Sequence, residues 1–329
     1  MTADGRWTWL PEDVATQVDD GVWLLDLGFQ GRRGVVAAYL LAGDGDLALI
    51  ETGPSSTLLT LRDGIRAAGF DPAGLTHLLV THIHLDHAGA AGPLARDLPA
   101  ANVYVHPAGA PHLVDPAKLL ASATRIYGDQ MEPLWGEVAP IAAAQVVPLA
   151  DGEELRVAGR RLRVLFTPGH ASHHVTYADA EAGAAFTGDV GGIRMPGTGY
   201  VCPPTPPPDL DPDAWRTSVD RIRALRARRL YLTHFGAVDD APTHLDRLLP
   251  DLDAFLAIAE QTLAEGGDQP TLTARLHAHM SAGIGPVPPD LLTNLEWSTP
   301  SYMAALGLTR YLTKRGTGGQ GDRGTGTSR

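Results

Sequence analysis

Early in the chain, apolar positions fall in short runs broken by turn residues: Val22 to Phe29, Val35 to Ala42 and Leu47 to Thr52. Runs of this length, bounded by Gly, Pro and Asp, predict strands. Gly43-Asp44-Gly45-Asp46 predicts a tight hairpin between the second and third. Gly53-Pro54 ends the third, and Ser55 or Ser56 is placed to cap a helix reaching Ala68. A strand at His77 to Thr81, a short helix, a strand at Asn102 to His106 and helices at Pro116 to Tyr127 and Gln130 to Glu137 follow. Beyond Pro148 the strand pattern returns at Arg161 to Thr167, Val175 to Asp179 and Ala184 to Thr187. A helix at Asp213 to Ala227 and a strand at Leu230 to Thr233 come next. Two halves of similar order predict an α+β fold: a four-layer αβ/βα sandwich of two mixed β-sheets flanked by helices.

After Gly236 the period becomes helical, at Thr243 to Ala264, Leu272 to Met280, Pro289 to Glu296 and Tyr302 to Leu312. The predicted organisation is an αβ/βα domain over 1–240, a helical C-terminal appendage over 241–313 and a disordered tail over 314–329, where apolar residues run out. Residues 191–212 carry Pro203, Pro204, Pro206, Pro207 and Pro208. A stiff segment of this kind between regular elements suits a lid or wall better than a linker.

Composition narrows the function. The charge is 26 − 38 = −12, and 44% hydrophobic with 19% charged residues is a globular balance. The acidic excess, with only two lysines (Lys118 and Lys314), speaks against nucleic acid as a partner. Cys202 is the sole cysteine, so neither an intrachain disulfide nor a thiolate metal cluster is available. Met1 to Asp20 shows no signal-peptide pattern, and no apolar run approaches the roughly 20 residues that span a bilayer. A cytoplasmic protein with a small-molecule substrate is expected; homo-oligomerisation is not readable.

Thirteen histidines are what composition leaves unexplained. Four metal-capable side chains stand in Thr81-His82-Ile83-His84-Leu85-Asp86-His87, directly after the apolar Leu78, Leu79 and Val80. A strand leaving its sheet puts His82 and His84 on one side by the period of two. Imidazole and carboxylate donors suit Zn²⁺ and similar ions. Three more candidates follow apolar strands: His170 in Phe166-Thr167-Pro168-Gly169-His170, Asp189 in Phe186-Thr187-Gly188-Asp189, and His234 in Tyr231-Leu232-Thr233-His234. A threonine precedes each closely and could orient it.

These motifs, over residues 20–236, resemble the metallo-β-lactamase fold superfamily. The resemblance implies one metal on His82, His84 and His170, a second on Asp86, His87 and His234, and Asp189 bridging both. Two divalent ions are implied, zinc first, with Mn or Fe as alternatives. The family usually carries aspartate in the early strand–Gly turn, where this chain has Glu51. Glu51, His174 and His106 are therefore supporting candidates around the ligands. His77, His112, His173, His244, His277 and His279 are expected to be ordinary strand-edge, surface or helix residues.

Two bridged ions make a water lose a proton near neutral pH, giving a metal-bridging hydroxide nucleophile that Asp86 or Asp189 orients. The expected function is a dinuclear metal-dependent hydrolase of a small ester-type substrate, similar to glyoxalase II and the lactonases. Two alternatives are an iron persulfide dioxygenase-like enzyme using only the first site and a phosphodiesterase or nuclease of the same fold. Tyr127, Arg194 and Tyr200 are candidate substrate contacts.

Overall fold

A computed structural model describes residues 13–318. Trp7, Trp9 and most of the stretch expected to carry no leader, like the tail from 319 onward, lie outside the described residues. The first sheet has seven strands in sequence order. They are β1 (Ala15–Asp19), β2 (Val22–Asp26), β3 (Ala37–Gly43), β4 (Asp46–Ile50), β5 (Leu75–Leu79), β6 (Asn102–Val105) and β7 (Val146–Pro148). β1 to β4 pair antiparallel, and β4 to β7 run parallel. Asp44 and Gly45 both take positive φ between β3 and β4, which is the tight turn that Asp-Gly favours. The parallel crossovers are α1 (Leu58–Ala67), then α2 (Leu85–Ala88) with α3 (Ala91–Asp97), then α4 (Ala110–Val114), α5 (Ala117–Tyr127) and α6 (Met131–Trp135).

The second sheet has six strands, β8 (Glu154–Val157), β9 (Arg160–Phe166), β10 (Val175–Asp179), β11 (Ala184–Phe186), β12 (Arg229–Leu232) and β13 (Gly236–Val238). Its parallel pair, β11 with β12, is joined by α7 (Pro212–Ala224). Alternation along the strands makes the layers. Ala37, Tyr39 and Leu41 of β3 and Tyr231 of β12 face the core between the sheets. Ala38 and Leu40 turn outward to the helices of the first half. Leu230 and Leu232 turn outward to α7. Helix, sheet, sheet and helix stack as the four-layer sandwich that the strand pattern predicts.

Four helices complete the described chain: α8 (Ala241–Ala264), α9 (Gln269–Ile284), α10 (Pro289–Ser298) and α11 (Ser301–Gly318). Their buried faces, with Leu248, Phe255, Leu276 and Leu308, join one core with Trp215, Val219 and Leu232 of the second sheet's outer layer. α11 runs on to Gly318, past the helix end expected at Leu312 and into the stretch expected as a tail. Lys314 there reaches the Pro208 carbonyl. No helix among the described residues is long and apolar enough to cross a membrane.

Candidate metal centre

The residues singled out in sequence leave the sheets at one rim, where β4 and β5 of one sheet and β9, β11 and β12 of the other end. The two sheets are tied there by backbone bonds, Val175 N–H to Thr81 O (2.8 Å) and Ala37 N–H to Thr233 O (2.9 Å). Donor atoms gather in three overlapping groups: His82, His84 and His170; His82, His87 and Asp189; and Asp86, His87 and His234. Within each group the ligand atoms lie within 4.8 Å of one another. All are buried except His84 and Asp86, which are partly open to a cavity.

Proton counting shows that these residues fit a cation. His170 spends its Nδ1–H on the Pro204 carbonyl (2.8 Å), which leaves a lone pair on Nε2. The Thr81 hydroxyl donates to Glu51 Oε1 (2.6 Å), so His82 Nδ1 must be the donor to Thr81 Oγ1 (3.0 Å) and Nε2 again carries a lone pair. Both Nε2 atoms meet His84 Nδ1, at 2.9 and 3.0 Å. A neutral His84 offers at most one proton to two acceptors.

The second group repeats the pattern. His87 Nδ1–H donates to Glu51 Oε1 (2.9 Å) and His234 Nδ1–H to Val35 O (2.6 Å). Their Nε2 atoms then face carboxylate oxygens: His87 lies 3.2 Å from Asp189 Oδ1, and His234 lies 3.4 Å from Asp86 Oδ2. His87 Nε2, His234 Nε2 and Asp189 Oδ1 are buried without a hydrogen-bond partner. Convergent nitrogen and oxygen lone pairs with no guanidinium or ammonium among them are the donor set of a borderline divalent ion.

Electrostatics separates the two groups. Burial, then the crowding of neighbouring rings, holds the pKa of His82 and His84 well below the ordinary histidine range, and burial lowers His170 too. Burial also opposes charge on His87, yet the carboxylates of Asp189, Glu51 and Asp86 carry it well above that range; His234 is likewise raised. Burial works against ionising Asp86, but His87 and His234 bring its pKa down to about 2. Asp189 too is driven well below the ordinary carboxylate range, against burial, by His87, His170 and His234.

Glu51 is the hub beneath the ligands. It takes a left-handed φ of 65°, unusual for a side chain with a Cβ, directly after β4. Its buried carboxylate accepts from Thr81 Oγ1, His87 Nδ1 and Thr233 Oγ1 (3.2 Å) at Oε1, and from Thr81 N–H (3.2 Å) at Oε2. Of the four threonines at these strand ends, Thr81 and Thr233 thus act through Glu51. Thr167 instead bonds His174 Nδ1 (2.9 Å), while the buried Thr187 hydroxyl has no partner. His174 stacks on His82 with centroids 5.1 Å apart and is a prop for that ring, with no place in the donor groups. Gly188 keeps the Asp189 turn close: a Cβ there would lie 2.5 Å from Thr81 Oγ1 and 2.7 Å from His174 Nε2. His106 does not support the ligands; it accepts from Ala108 N–H and packs on Phe166.

A cavity of about 470 Å³ opens over the cluster, with His84, Asp86, His170 and Asp189 on its floor and Tyr127 in its wall. Arg194 and Tyr200 are not part of it. Arg194 donates to Thr198 O and lines a separate cavity of about 540 Å³ that touches none of the ligands. The Tyr200 hydroxyl donates to Asp251 Oδ2 of α8 (2.7 Å), because the segment after Gly191 folds down onto the C-terminal helices. The proline segment is a wall: Pro204, Pro206, Pro207 and Pro208 all line the main cavity. His244 was expected to be ordinary, yet it is fully buried and donates from Nε2 to Gly191 O (2.7 Å), at the end of the Asp189 turn. Ser298 of α10 donates to the same Val35 carbonyl that orients His234. No local spacing marks either residue; only the packing of α8 and α10 brings them in.

The family model of the metallo-beta-lactamase superfamily matches residues 31–234, over half of the chain and through the last of the strand-end histidines. The chain belongs to the metallo-beta-lactamase superfamily. It is 27% identical over 220 residues to the metallo-beta-lactamase fold-containing protein ST1585 of Sulfurisphaera tokodaii, covering 65% of this chain and 79% of that protein. It is 28% identical over 246 residues to a hydroxyacylglutathione hydrolase of Synechococcus sp., covering 72% and 76%. Among solved structures, a metallo-beta-lactamase family protein of Thermus thermophilus superposes with a TM-score of 0.66 at 25% identity, over 91% of this chain and 95% of that one. With the superfamily's fold and a donor set fit for cations, the chain is a metal-dependent hydrolase.

Proposed function

We propose that the chain is a two-metal hydrolase of a small ester-type substrate, a thioester, lactone or related carbonyl compound. His82, His84 and His170 would hold one ion, and Asp86, His87 and His234 the other, with zinc the first choice for this donor set. The observation that carries the proposal is the orientation of Asp189. Its Oδ2 faces His170 Nε2 at 3.3 Å, while its Oδ1 faces His87 Nε2 at 3.2 Å and His234 Nε2 at 3.5 Å. One carboxylate thus presents an oxygen to each group.

When bound, divalent ions supply a nucleophile from water at neutral pH and polarise a carbonyl oxygen. The chain's own residues supply the rest. Asp86 and Asp189 stay ionised, so each accepts a hydrogen bond from the attacking water and orients it; neither is basic enough to store its proton. The partial exposure of His84 and Asp86 marks the side from which substrate enters. The relative named for hydroxyacylglutathione hydrolysis supports a thioester over a phosphodiester, as does the acidic chain.

Metal quantification on protein purified without chelator, followed by a panel of thioesters, lactones and phosphodiesters, tests the proposal. Two ions per chain and turnover of the carbonyl esters are expected. Asp189→Asn should drop the stoichiometry towards one while leaving the circular dichroism unchanged. One iron per chain with oxygen consumption would replace the hydrolytic assignment by the dioxygenase alternative.

A further inference from the structure

Resting on that hydrolase assignment, we propose that the enzyme selects substrates whose acyl side is apolar and uncharged, and that α5, α6 and the α10–α11 joint do the selecting. The first observation is charge. Among the described residues, Glu296 is the only charged side chain lining the cavity beyond the ligands Asp86 and Asp189, and neither lysine nor arginine lines it. Glu296 is occupied: Oε1 lies 2.9 Å from His277 Nδ1, and Oε2 accepts from Ser301 N–H and Oγ–H. Arg310 and Lys314 reach the Pro208 carbonyl and do not line the cavity. A carboxylate or phosphate carried into this space, away from the ligands, would meet Glu296 and lose its hydration with no cationic side chain in the wall.

The second observation is the wall itself. Leu119, Ala123, Ile126 and Leu134 of α5 and α6 face Trp297 and Met303 of α10 and α11 across the cavity. Aromatic rings fix its shape. Phe29 stacks on Trp135 (centroids 5.6 Å, planes at 18°), meets Trp297 edge-on at 6.0 Å, and Tyr127 meets Trp135 edge-on at 5.0 Å. Because the rings pack on one another, they do not form an open cage for a quaternary ammonium. Trp297 and Tyr302, 37% and 42% exposed, extend the apolar surface to the outside. Eight of the 26 residues lining the cavity lie beyond residue 234, where the family match ends.

The test uses the full-length, metal-loaded protein and N-acetylcysteamine thioesters, whose leaving group is neutral. From acetyl to octanoyl, kcat/KM should rise about fourfold per methylene until the cavity is full. An octanedioyl thioester, the same length with a terminal carboxylate, should fall at least about 100-fold below octanoyl. A trimethylammonium-capped chain should fall as well. Ser122→Arg, or Gln130→Arg should the first variant fail to fold, should narrow the octanoyl-to-octanedioyl gap at least about tenfold. Independently of turnover, octanamide should bind the metal-stripped and metal-loaded protein alike, read by tryptophan fluorescence through Trp135 and Trp297, and 8-amino-8-oxooctanoate should not. A flat chain-length series, or preference for either charged chain, would overturn the inference while leaving the hydrolase assignment intact. If no thioester turns over yet octanamide binds selectively, the hydrolase assignment fails and the apolar site stands; if octanamide does not bind, the site fails too.

Discussion

The strand-end cluster and the C-terminal helices meet at the same cavity but are built by opposite means. Around the ions' place, order comes from short polar bonds within a few residues of each strand end, gathered on Glu51 and closed off from water. The helices contribute no ligand; they offer an apolar wall and a few donors aimed at backbone carbonyls, Gly191 O from His244, Val35 O from Ser298 and Arg33 O from Asn294. On the proposed reading, chemistry resides in the rim and selectivity in the helices around it. Each part can be broken separately.

The largest effect should come from the rim. His84→Ala removes the nitrogen on which His82 and His170 both converge, at a position partly open to the cavity. Turnover should fall on the order of 10³-fold or more, with metal content reduced and the melting temperature of the chelated protein little changed. Substantial residual turnover would show that the first group is not where the hydrolytic ion sits.

An intermediate effect is expected at Glu51. Glu51→Gln keeps the shape and can leave an oxygen to accept from Thr81, His87 and Thr233, but it removes the charge and turns an NH2 donor towards the Thr81 N–H that Oε2 accepts. Metal affinity should weaken about 10- to 100-fold, read by chelator competition. Glu51→Asp keeps the charge on a shorter arm and should fall between wild type and Glu51→Gln. If the two variants are alike, the charge on the hub is not what orients His87.

The rim was legible in sequence because metal donors are rare, chemically distinctive and placed by local rules: His82 and His84 by the strand period, His170, Asp189 and His234 by the apolar run before each. The two sheets were legible because Ala37 to Leu41 and Leu230 to Leu232 bury both faces in alternation. Short edge strands were not: β7 has three residues, and β8 carries Glu154 and Arg156 on exposed positions. Contacts set by how helices dock were not legible either. Tyr200 resembles a loop aromatic at a pocket until Asp251 takes its hydroxyl, and His244 resembles any helix histidine until Gly191 is found above it.

His244 also gives the smallest and most specific test, because it links the two regions without touching an ion. Burial pushes its pKa down to about 4, against an upward pull from the Gly191 carbonyl. The unfolded chain's histidine titrates near 6.5. Between those values the unfolded state binds more protons, so stability rises with pH across that window. The contribution is complete above about pH 6.5 and is lost as pH falls towards 4. At about 1.4 kcal/mol per pKa unit, the loss is on the order of 3 kcal/mol. His244→Phe keeps the ring but strands the Gly191 carbonyl, costing about 1–3 kcal/mol at pH 7.5. Subtracting the two denaturation curves across pH isolates this residue from the other buried histidines. The gap should shrink from pH 7 to pH 4.5, while turnover at pH 7.5 drops only severalfold through a looser Asp189 turn. A gap that stays constant with pH would mean that His244 titrates alike in the folded and unfolded chain. One that widens towards low pH would mean that it is charged in the fold, and that the helices grip the rim through a cation instead of a neutral donor.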